Sequence, residues 1–402
     1  MHNKTTKVGS SKNNSISFNN TEVAFKYKTD ADLELAYRLF SVINVNFLAK
    51  IGPPITRFAM TIGLPVKSLI KATIFRHFCG GETIAECEPT IEKLATGGVG
   101  TILDYSVEGE EEEAVFDATC EEIIQTILRA DGDSRVPLTV FKITGLGRFA
   151  LLEKIDAGQA LSDQEQAEFV RVEQRVDRIC QISHQKGVPT MIDAEESWIQ
   201  QTIDRLAMDM MRKHNREKPL IYNTYQLYRS DKLASLKADI SVAQNEGFIL
   251  GAKIVRGAYL EKERKRAQQL NYPSPIHPTK QATDEAYDQA IDYCVAHISV
   301  VAFLAGTHNE SSCQLLIERM DDHQLTHQHR HIYFAQLLGM SDNLSFNLAD
   351  AGYHVAKYVP YGPIKAVLPY LFRRAQENTS IAGQMGRELK LIIQEKRRRR
   401  LG

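Results

Sequence analysis

The sequence predicts an α/β fold, a (β/α)8 barrel of the TIM type with a helical extension at its N-terminus. Beyond Gly100, short apolar runs rich in β-branched residues recur every ~25 to 50 residues, and amphipathic stretches of helical length separate them. This alternation favours a parallel sheet, because parallel neighbours need a crossover between them. Eight such runs match a closed barrel. The predicted strands are residues 101–107, 138–144, 189–195, 219–225, 250–257, 299–305, 331–338 and 354–360.

The alternative architecture is a doubly wound open sheet. That fold normally carries a glycine-rich G-x-G-x-x-G turn after a strand, where it holds a nucleotide. The nearest approach here is GLGRFA at residues 145–150, which lacks the third glycine. The barrel is therefore the favoured fold.

Composition bounds the class of protein and its partners. The 402 residues are 43% hydrophobic, and 49 basic against 50 acidic residues leave a net charge of -1, so nucleic acid is not an expected partner. Six cysteines without a C-x-x-C pair predict neither a zinc site nor a disulfide framework. We predict a flexible arm at residues 1–22, a helical region packing on the barrel at 23–100, the barrel at 101–380, and a C-terminal helix with a basic tail at 381–402.

The N-terminal residues show neither the apolar core of a secretory signal nor the amphipathic, arginine-rich pattern of a transit peptide. No run of about 20 apolar residues occurs, so a membrane-spanning helix is not predicted. We therefore expect a cytoplasmic location, with peripheral contact at the inner face of the cell membrane as an open alternative. The basic run at 396–400 either caps its helix or touches an anionic membrane surface, and we favour the cap.

Polar residues at strand ends are the candidate site, because barrel enzymes gather their reactive groups at the carboxyl ends of the strands. Any one of them alone is more simply a polar cap on the barrel rim. Their convergence from several strands favours a site. His308 has no second histidine or carboxylate at metal-ligand spacing, so no metal is expected. The candidates are Asp104, Lys142, Asp193, Glu195, Asn223, Lys253, Arg256, Thr307, His308, Asn309, Lys357 and Tyr358.

Two further segments carry candidate residues. In the helix predicted over 363–378, Tyr370, Arg373, Arg374 and Glu377 fall on one face, and paired guanidiniums suit a small carboxylate. A solvated, salt-bridged face is the alternative for that helix. After the fifth strand, small residues at 257–258 let a ligand approach the backbone, and Tyr259 offers a flat ring; a tight turn chosen for packing is the alternative there.

Successive motifs resemble those of the proline dehydrogenase family. They are FKITGLGR, MIDAEES, AKIVRGAYLEKER, GTHN, QLLGM and KYVPYGP followed by LPYLFRRAQEN, and they extend from about residue 104 to 378. Their order and spacing make the resemblance specific, and the chain is similar to the monofunctional, eukaryote-like branch. The resemblance implies a distorted (β/α)8 barrel, bound FAD, and oxidation of L-proline to 1-pyrroline-5-carboxylate, the first step of proline catabolism to glutamate.

The resemblance also assigns roles. It implies that Lys142, Arg373 and Arg374 hold the substrate carboxylate, that Asp193 lies beside the substrate lysine and the flavin, and that Glu377 steadies the arginine pair. Lys253 stands where many bacterial members have arginine, which keeps the charge and changes its geometry. The implied pocket wall is Ala258, Tyr259, Leu337, Tyr358 and Tyr370. The implied cofactor contacts are Asp193, Asn223, Lys253, Val255, Arg256, Gly257, Ala258, Thr279, Lys280, Thr307, His308, Asn309 and Arg374.

The implied partners are L-proline, a quinone that accepts the electrons, and a separate pyrroline-5-carboxylate dehydrogenase. A hydroxyproline dehydrogenase is the nearest alternative, and Tyr358 favours proline because that branch has a smaller residue there. A non-flavin barrel lyase is a more remote alternative.

Overall fold

The computed structural model describes residues 16–43, 71–107, 111–368, 370–371 and 384–401. Within them, eight parallel strands form one closed barrel in sequence order, with β1 paired to β8. This confirms the predicted fold class. The strands are β1 Gly100–Tyr105, β2 Leu138–Phe141, β3 Thr190–Ile192, β4 Ile221–Gln226, β5 Leu250–Val255, β6 Val301–Gly306, β7 Ile332–Leu337 and β8 Val355–Tyr361.

Helices precede the barrel, separate its strands and follow it. A π-helical turn at Lys71–Phe75 and a 3-10 turn at Ile143–Gly145 supplement them, and residues 364–368 and 370–371 after β8 are also helical. The helices are Thr21–Phe25, Asp30–Ile43, Arg76–Phe78, Ile84–Ala95, Glu113–Ala130, Phe149–Asp156, Asp163–Lys186, Gln200–His214, Lys232–Glu246, Leu260–Leu270, Lys280–Ala296, Glu310–Asp322, Asp342–Asp350 and Gln384–Arg398.

The longest of these helices shows how local sequence sets an element's ends. Ser162 accepts a hydrogen bond from the backbone N of Glu165 at 3.2 Å, and the Glu165 carboxylate accepts one from the backbone N of Ser162 at 2.8 Å. This reciprocal cap satisfies donors that the first helical turn leaves unpaired. At the other end Gly187 adopts a φ of 66°, a left-handed conformation that glycine takes without strain.

Strand alternation divides the core into two layers. One set of side chains packs between the strands and the surrounding helices, as Leu103 and Ile254 do. The other set lies in the barrel lumen, where apolar residues from all strands but β5 meet. The lumen set is Ile102, Leu138, Val140, Met191, Tyr222, Ala302, Leu304, Ala335, Ala356 and Tyr358.

The N-terminal region packs on the barrel beside β8. The backbone N of Gly80 donates to the carbonyl of Pro360 at 2.9 Å, and that of Gly362 donates to Gly81 at 3.1 Å. Residues 1–15 of the predicted flexible arm lie outside the described residues. The described end of that arm is packed, because Phe18 is buried and its carbonyl accepts from the Asn343 side chain at 3.1 Å.

The C-terminal helix packs against the two N-terminal helices, and their apolar faces share a core with residues that follow β8. Its basic run forms ion pairs within the chain: Lys396 with Glu34 at 2.6 Å, and Arg399 with Asp30 at 3.0 Å. These ion pairs therefore connect the C-terminal helix to the N-terminal helices. Among the residues described, no helix combines the length and apolarity needed to cross a bilayer.

Candidate active site

The strand pleat points a set of charged residues into the lumen. On β5, Ala252 and Ile254 pack outward against the helices, so Lys253 between them points inward. On β1, Ile102 lies in the lumen and Asp104, two residues later, faces the same way near the carboxyl end of the strand. Lys142 and Asp193 directly follow β2 and β3.

These residues and Tyr358 form one connected group, which we call the lumen cluster: Asp104, Lys142, Asp193, Lys253 and Tyr358. The Lys142 ammonium lies 3.1 Å from Asp104 Oδ1 and 3.4 Å from Asp193 Oδ2. Lys253 donates to Asp193 Oδ1 and, at 2.8 Å, to the phenol oxygen of Tyr358. The cluster thus balances two carboxylates against two ammoniums, which buried charges require.

The electrostatics of the cluster follow from burial and pairing. Burial raises the pKa of Asp193, but the charges of Lys253 and Lys142 outweigh it and hold that pKa below its ordinary value. Burial lowers the pKa of Lys253, and Asp193 opposes that shift. Burial raises the pKa of the Tyr358 phenol well above its ordinary value, so this group stays protonated as a neutral hydroxyl. Asp193 is therefore the fixed anion at the centre of the site.

Apolar side chains surround this charged group. Tyr358 lies beside Leu337 in the register of β7 and β8, and its hydroxyl contacts Met191 Sδ at 3.6 Å. Leu337 packs against both the lumen core and the C-terminal core that contains Tyr370. The structure thus brings Lys142, Asp193, Lys253, Leu337 and Tyr358 together and places Tyr370 in the core that Leu337 adjoins.

A second polar group lies where β5 and β6 end, and we call it the rim group: Arg256, Lys280, Asp284, Thr307 and Ser312. The Arg256 guanidinium donates to Asp284 Oδ1 at 2.6 Å, to Thr307 Oγ1 at 2.8 Å and to Ser312 Oγ at 3.0 Å. Lys280 pairs with the other oxygen of Asp284. Lys280 is exposed at the N-terminus of its helix, a position that favours anions.

The remaining predicted cofactor contacts are distributed around this rim. Thr279 caps the helix that Lys280 begins, accepting from the backbone N of Ala282 at 3.1 Å. Asn309 likewise caps the helix after β6, accepting from Ser311 at 2.8 Å. The ring of His308 lies 2.9 Å, Nδ1 to Oγ, from Ser341. Val255, at the end of β5, is half-buried, and so are Ala258 and Tyr259 in the turn that follows.

Lys357, a predicted strand-end residue, lies on the helix-facing side of β8 together with Val355 and Val359, and its ammonium donates to the carbonyl of Met340 at 2.6 Å. Asn223, a predicted cofactor contact, also faces away from the lumen. It is fully buried on the helix-facing side of β4, where its amide donates to Asp204 Oδ1 at 3.0 Å. Gln226, at the end of the same strand, is a lumen residue that the sequence reasoning missed. Its side chain donates to the carbonyl of Glu195 at 2.7 Å and accepts from the backbone N of Ala258 at 3.4 Å. The alternation of side chains along β4 could have predicted this position, because Gln226 lies on the same face of the strand as Tyr222, which is in the lumen.

Asp104 was predicted only as a polar strand end, and the structure makes it a partner of Lys142. Arg373, Arg374 and Glu377 lie outside the described residues. In the part of the chain that is described, no group of three potential ligands could hold a metal ion. A cleft of about 420 Å³ lined by residues including Glu153, Trp198 and Arg266 is separate from the lumen cluster.

The fold and the lumen cluster define a (β/α)8-barrel protein with a buried, charge-balanced site at the carboxyl ends of its strands, where barrel enzymes carry out their chemistry. The sequence profile of the proline dehydrogenase family matches residues 87–387. The chain belongs to the proline dehydrogenase family of oxidoreductases.

Individual relatives agree with this assignment. Proline dehydrogenase 1, mitochondrial, of Dictyostelium discoideum is 33% identical over 95% of this chain and 74% of its own length. The human protein of the same name is 40% identical over 66% of this chain. A crystal structure of proline utilization A from Bdellovibrio bacteriovorus superposes with a TM-score of 0.70 over 93% of this chain, at 19% identity, which shows the shared fold.

The chain spans 45% of the human relative and 40% of the Bdellovibrio chain, so it corresponds to a part of those longer proteins. The prediction of a cytoplasmic location is contradicted by the Dictyostelium and human relatives. Both of these relatives are named as mitochondrial.

Proposed function

We propose that the chain oxidises L-proline to 1-pyrroline-5-carboxylate with bound FAD and passes the electrons to a quinone. The single observation that carries the proposal is the lumen cluster. It sets the ammoniums of Lys142 and Lys253 on either side of the Asp193 carboxylate, within a wall formed by Tyr358 and Leu337. A small ring with a carboxylate matches such a site.

The residues around the mouth suit an anionic flavin dinucleotide. Lys253 and Arg256 are both supplied by the end of β5, one to the lumen cluster and one to the rim group. Lys280 adds an exposed cation at a helix N-terminus, a suitable partner for the diphosphate. Between these groups Gly257 is exposed at a φ of 138°, and a Cβ there would lie 2.5 Å from the ring of Tyr228. Tyr228 therefore excludes a side chain at this position, and the exposed backbone of Gly257 would be open to the cofactor.

The rim group would hold the cofactor mainly through Lys280 and the hydroxyl of Thr307. The Arg256 guanidinium already binds three side chains, so its main part is to orient Thr307 and to supply positive charge. His308 and Asn309 follow Thr307 and would add a ring and an amide. When bound, FAD would take up the hydride equivalent that the oxidation removes from the substrate carbon.

The chain's own residues would bind and orient proline. Lys142 would hold the substrate carboxylate together with Arg373 and Arg374, whose paired guanidiniums suit two-pronged binding. Asp193 would fix the directions of both lysine ammoniums, because it pairs with each. Tyr358 and Leu337 would pack on the ring and exclude water. Positioning is the main contribution of such a site, since the cofactor supplies the redox chemistry.

A quinone acceptor would bring the protein to a membrane at least transiently. Several residues of the basic run are engaged with the N-terminal helices, so that run is not the surface we propose for this contact. The imino product would pass to a separate pyrroline-5-carboxylate dehydrogenase.

Hydroxyproline oxidation is the second candidate, and Tyr358 opposes it. The Tyr358 ring is 8% exposed, and its hydroxyl is fixed by Lys253 at 2.8 Å, which leaves little room for a substrate hydroxyl on that side.

The test is reconstitution followed by substrate addition. The purified chain is loaded with FAD, freed of excess, and mixed anaerobically with L-proline or with trans-4-hydroxy-L-proline. We expect flavin absorbance to fall with proline far faster than with hydroxyproline, and a quinone analogue to restore it. The reverse order of substrates would assign the sister activity, and failure to retain FAD would refute the flavoenzyme assignment.

A further inference from the structure

The connection from β7 to the next helix contains two residues with positive φ angles, one of which is not glycine. Gly339 has a φ of 77° and Ser341 a φ of 49°. The left-handed region is uncommon for a residue other than glycine. This connection begins directly after Leu337, the proposed pocket residue, and its Ser341 contacts His308.

Lys357 supports the connection from β8. It is completely buried, and its ammonium donates to the carbonyls of Leu337 at 3.2 Å and Met340 at 2.6 Å. It also pairs with Asp342 at 2.9 Å, and the second oxygen of Asp342 pairs with Lys28 at 3.1 Å. The connection is therefore bound to β8 through Lys357 and to the N-terminal region through Lys28.

Glu388, from the C-terminal helix, also contacts the connection. It is buried, with 6% of its surface exposed, and its carboxylate accepts a hydrogen bond from the backbone N of Ser341. The hydroxyl of Ser341 in turn lies 2.9 Å from Nδ1 of His308. Two consecutive contacts thus lead from the C-terminal helix to the histidine at the mouth of the barrel.

We propose that Glu388 is a positioning residue for cofactor binding, which orients the ring of His308 through Ser341 and so sets how tightly the flavin is held. This inference rests on the proposed function, because it takes His308 to contact the flavin. The proposal adds to the site a residue from the C-terminal helix, which lies well beyond the last strand.

The surroundings of Glu388 give the relay a dependence on pH. Burial and the charge of Asp342 raise the pKa of Glu388 to about 7, and Lys357 and Lys28 oppose the shift. Tyr27 also interacts with Asp342 and Glu388, and His77 faces Lys28, Asp342 and Lys357. An ionised carboxylate accepts a backbone hydrogen bond more strongly than a neutral one. Ser341 is therefore held best when Glu388 has lost its proton.

The experiment measures the FAD dissociation constant of the full chain at about pH 6 and about pH 8, on either side of the shifted pKa. In the wild type, we expect tighter binding at the higher pH. Glu388→Gln keeps the shape and stays neutral, so we expect it to bind FAD about tenfold more weakly than wild type at the higher pH and nearly equally at the lower. Glu395→Gln is the matched control. Glu395 is buried on the same helix but pairs with Arg398 and Arg399.

Ser341→Ala tests the relay itself, since it removes the hydroxyl that reaches His308 and keeps the backbone N that Glu388 binds. In that background, Glu388→Gln should have no further effect on the dissociation constant. Should Glu388→Gln fail to fold, Ser341→Ala alone still decides, because it should lose the pH dependence of the wild type.

Three results would overturn the proposal: equal effects of Glu388→Gln and Glu395→Gln, an undiminished effect of Glu388→Gln in the Ser341→Ala protein, or an unchanged dissociation constant in Glu388→Gln. If the wild type binds FAD and is reduced by proline, these results refute only the relay. If the wild type binds no FAD, both the relay and the proposed function fail.

Discussion

Lys253 Nζ donates to the hydroxyl of Tyr358 at 2.8 Å while lying 4.5 Å from the centre of the same ring. The ammonium also pairs with Asp193, so one buried cation holds both the carboxylate and the aromatic wall of the lumen cluster. Because β5 and β8 are not neighbours in the barrel, this contact spans the lumen. Lys253 therefore bridges two non-adjacent strands of the barrel, beside the space proposed for the substrate.

Lys253→Met removes the central cation and leaves Asp193 with Lys142 alone. Removing one member of a buried ion pair costs about 3–5 kcal/mol of stability. The pKa of Asp193 should rise, since Lys253 is its stronger opposing charge. Urea unfolding measures the first effect. Lys253→Arg, which keeps the charge, should recover most of the stability, and a stable Lys253→Met protein with normal flavin reduction would contradict this role of Lys253.

Tyr358→Ser should shift the substrate preference towards hydroxyproline. The change opens space in the lumen and removes a group that packs on the substrate ring, so we expect the ratio of kcat/KM for the two substrates to move by about tenfold or more. Tyr358→Phe is the control, because it removes the bond to Lys253 and keeps the volume. An equal shift in both variants would assign the effect to the lost hydroxyl.

Gly257→Ala should weaken FAD binding and destabilise the turn after β5. Its added Cβ would lie 2.5 Å from the ring of Tyr228, at a φ of 138° that side chains rarely adopt. Gly158→Ala is the matched control, since Gly158 also has a positive φ, of 64°, but nothing lies within 4 Å of the added carbon. We expect the control to lose about 1 kcal/mol without any change in the FAD dissociation constant. Equal flavin binding in the Gly257 variant would show that a ligand does not pass there.

Glu388 should also make stability fall as pH rises. Its folded pKa of about 7 lies above the ordinary value of 4.5, so the folded chain binds more protons than the unfolded chain between these values. Relative to Glu388→Gln, the wild type should lose on the order of 3 kcal/mol from about pH 4.5 to about pH 7, and no more above it. Urea unfolding of both proteins across this range measures the difference. A difference that stays constant would mean that Glu388 is ionised throughout.

Much of the architecture could be predicted because each strand is recognisable from its own apolar, β-branched residues. Eight apolar runs rich in β-branched residues, separated by stretches of helical length, indicated the barrel, and strand-end residues such as Lys142 and Asp193 indicated its mouth. What spacing alone did not supply was the direction of each side chain. Asn223 faces the helices and Gln226 faces the lumen, and these two differ only by their parity along β4.

The long-range contacts could not be predicted in this way. Glu388 lies 47 residues beyond Ser341 in the sequence, and no local sequence pattern predicts that its carboxylate accepts a hydrogen bond from the backbone N of Ser341. The same holds for Lys28, which pairs with Asp342 across most of the chain. Such contacts depend on how the terminal helices pack, which is set by the tertiary core rather than by local periodicity.

The most direct test of proline oxidation at the lumen cluster is an anaerobic titration of the FAD-loaded protein with L-proline, followed by the flavin absorbance band. We predict that this band is lost on addition of proline in the wild type and is largely retained in Lys142→Ala, which lacks the cation proposed to hold the substrate carboxylate. A protein that holds FAD but keeps its full absorbance at saturating proline would contradict the assignment of the lumen cluster as a site of proline oxidation.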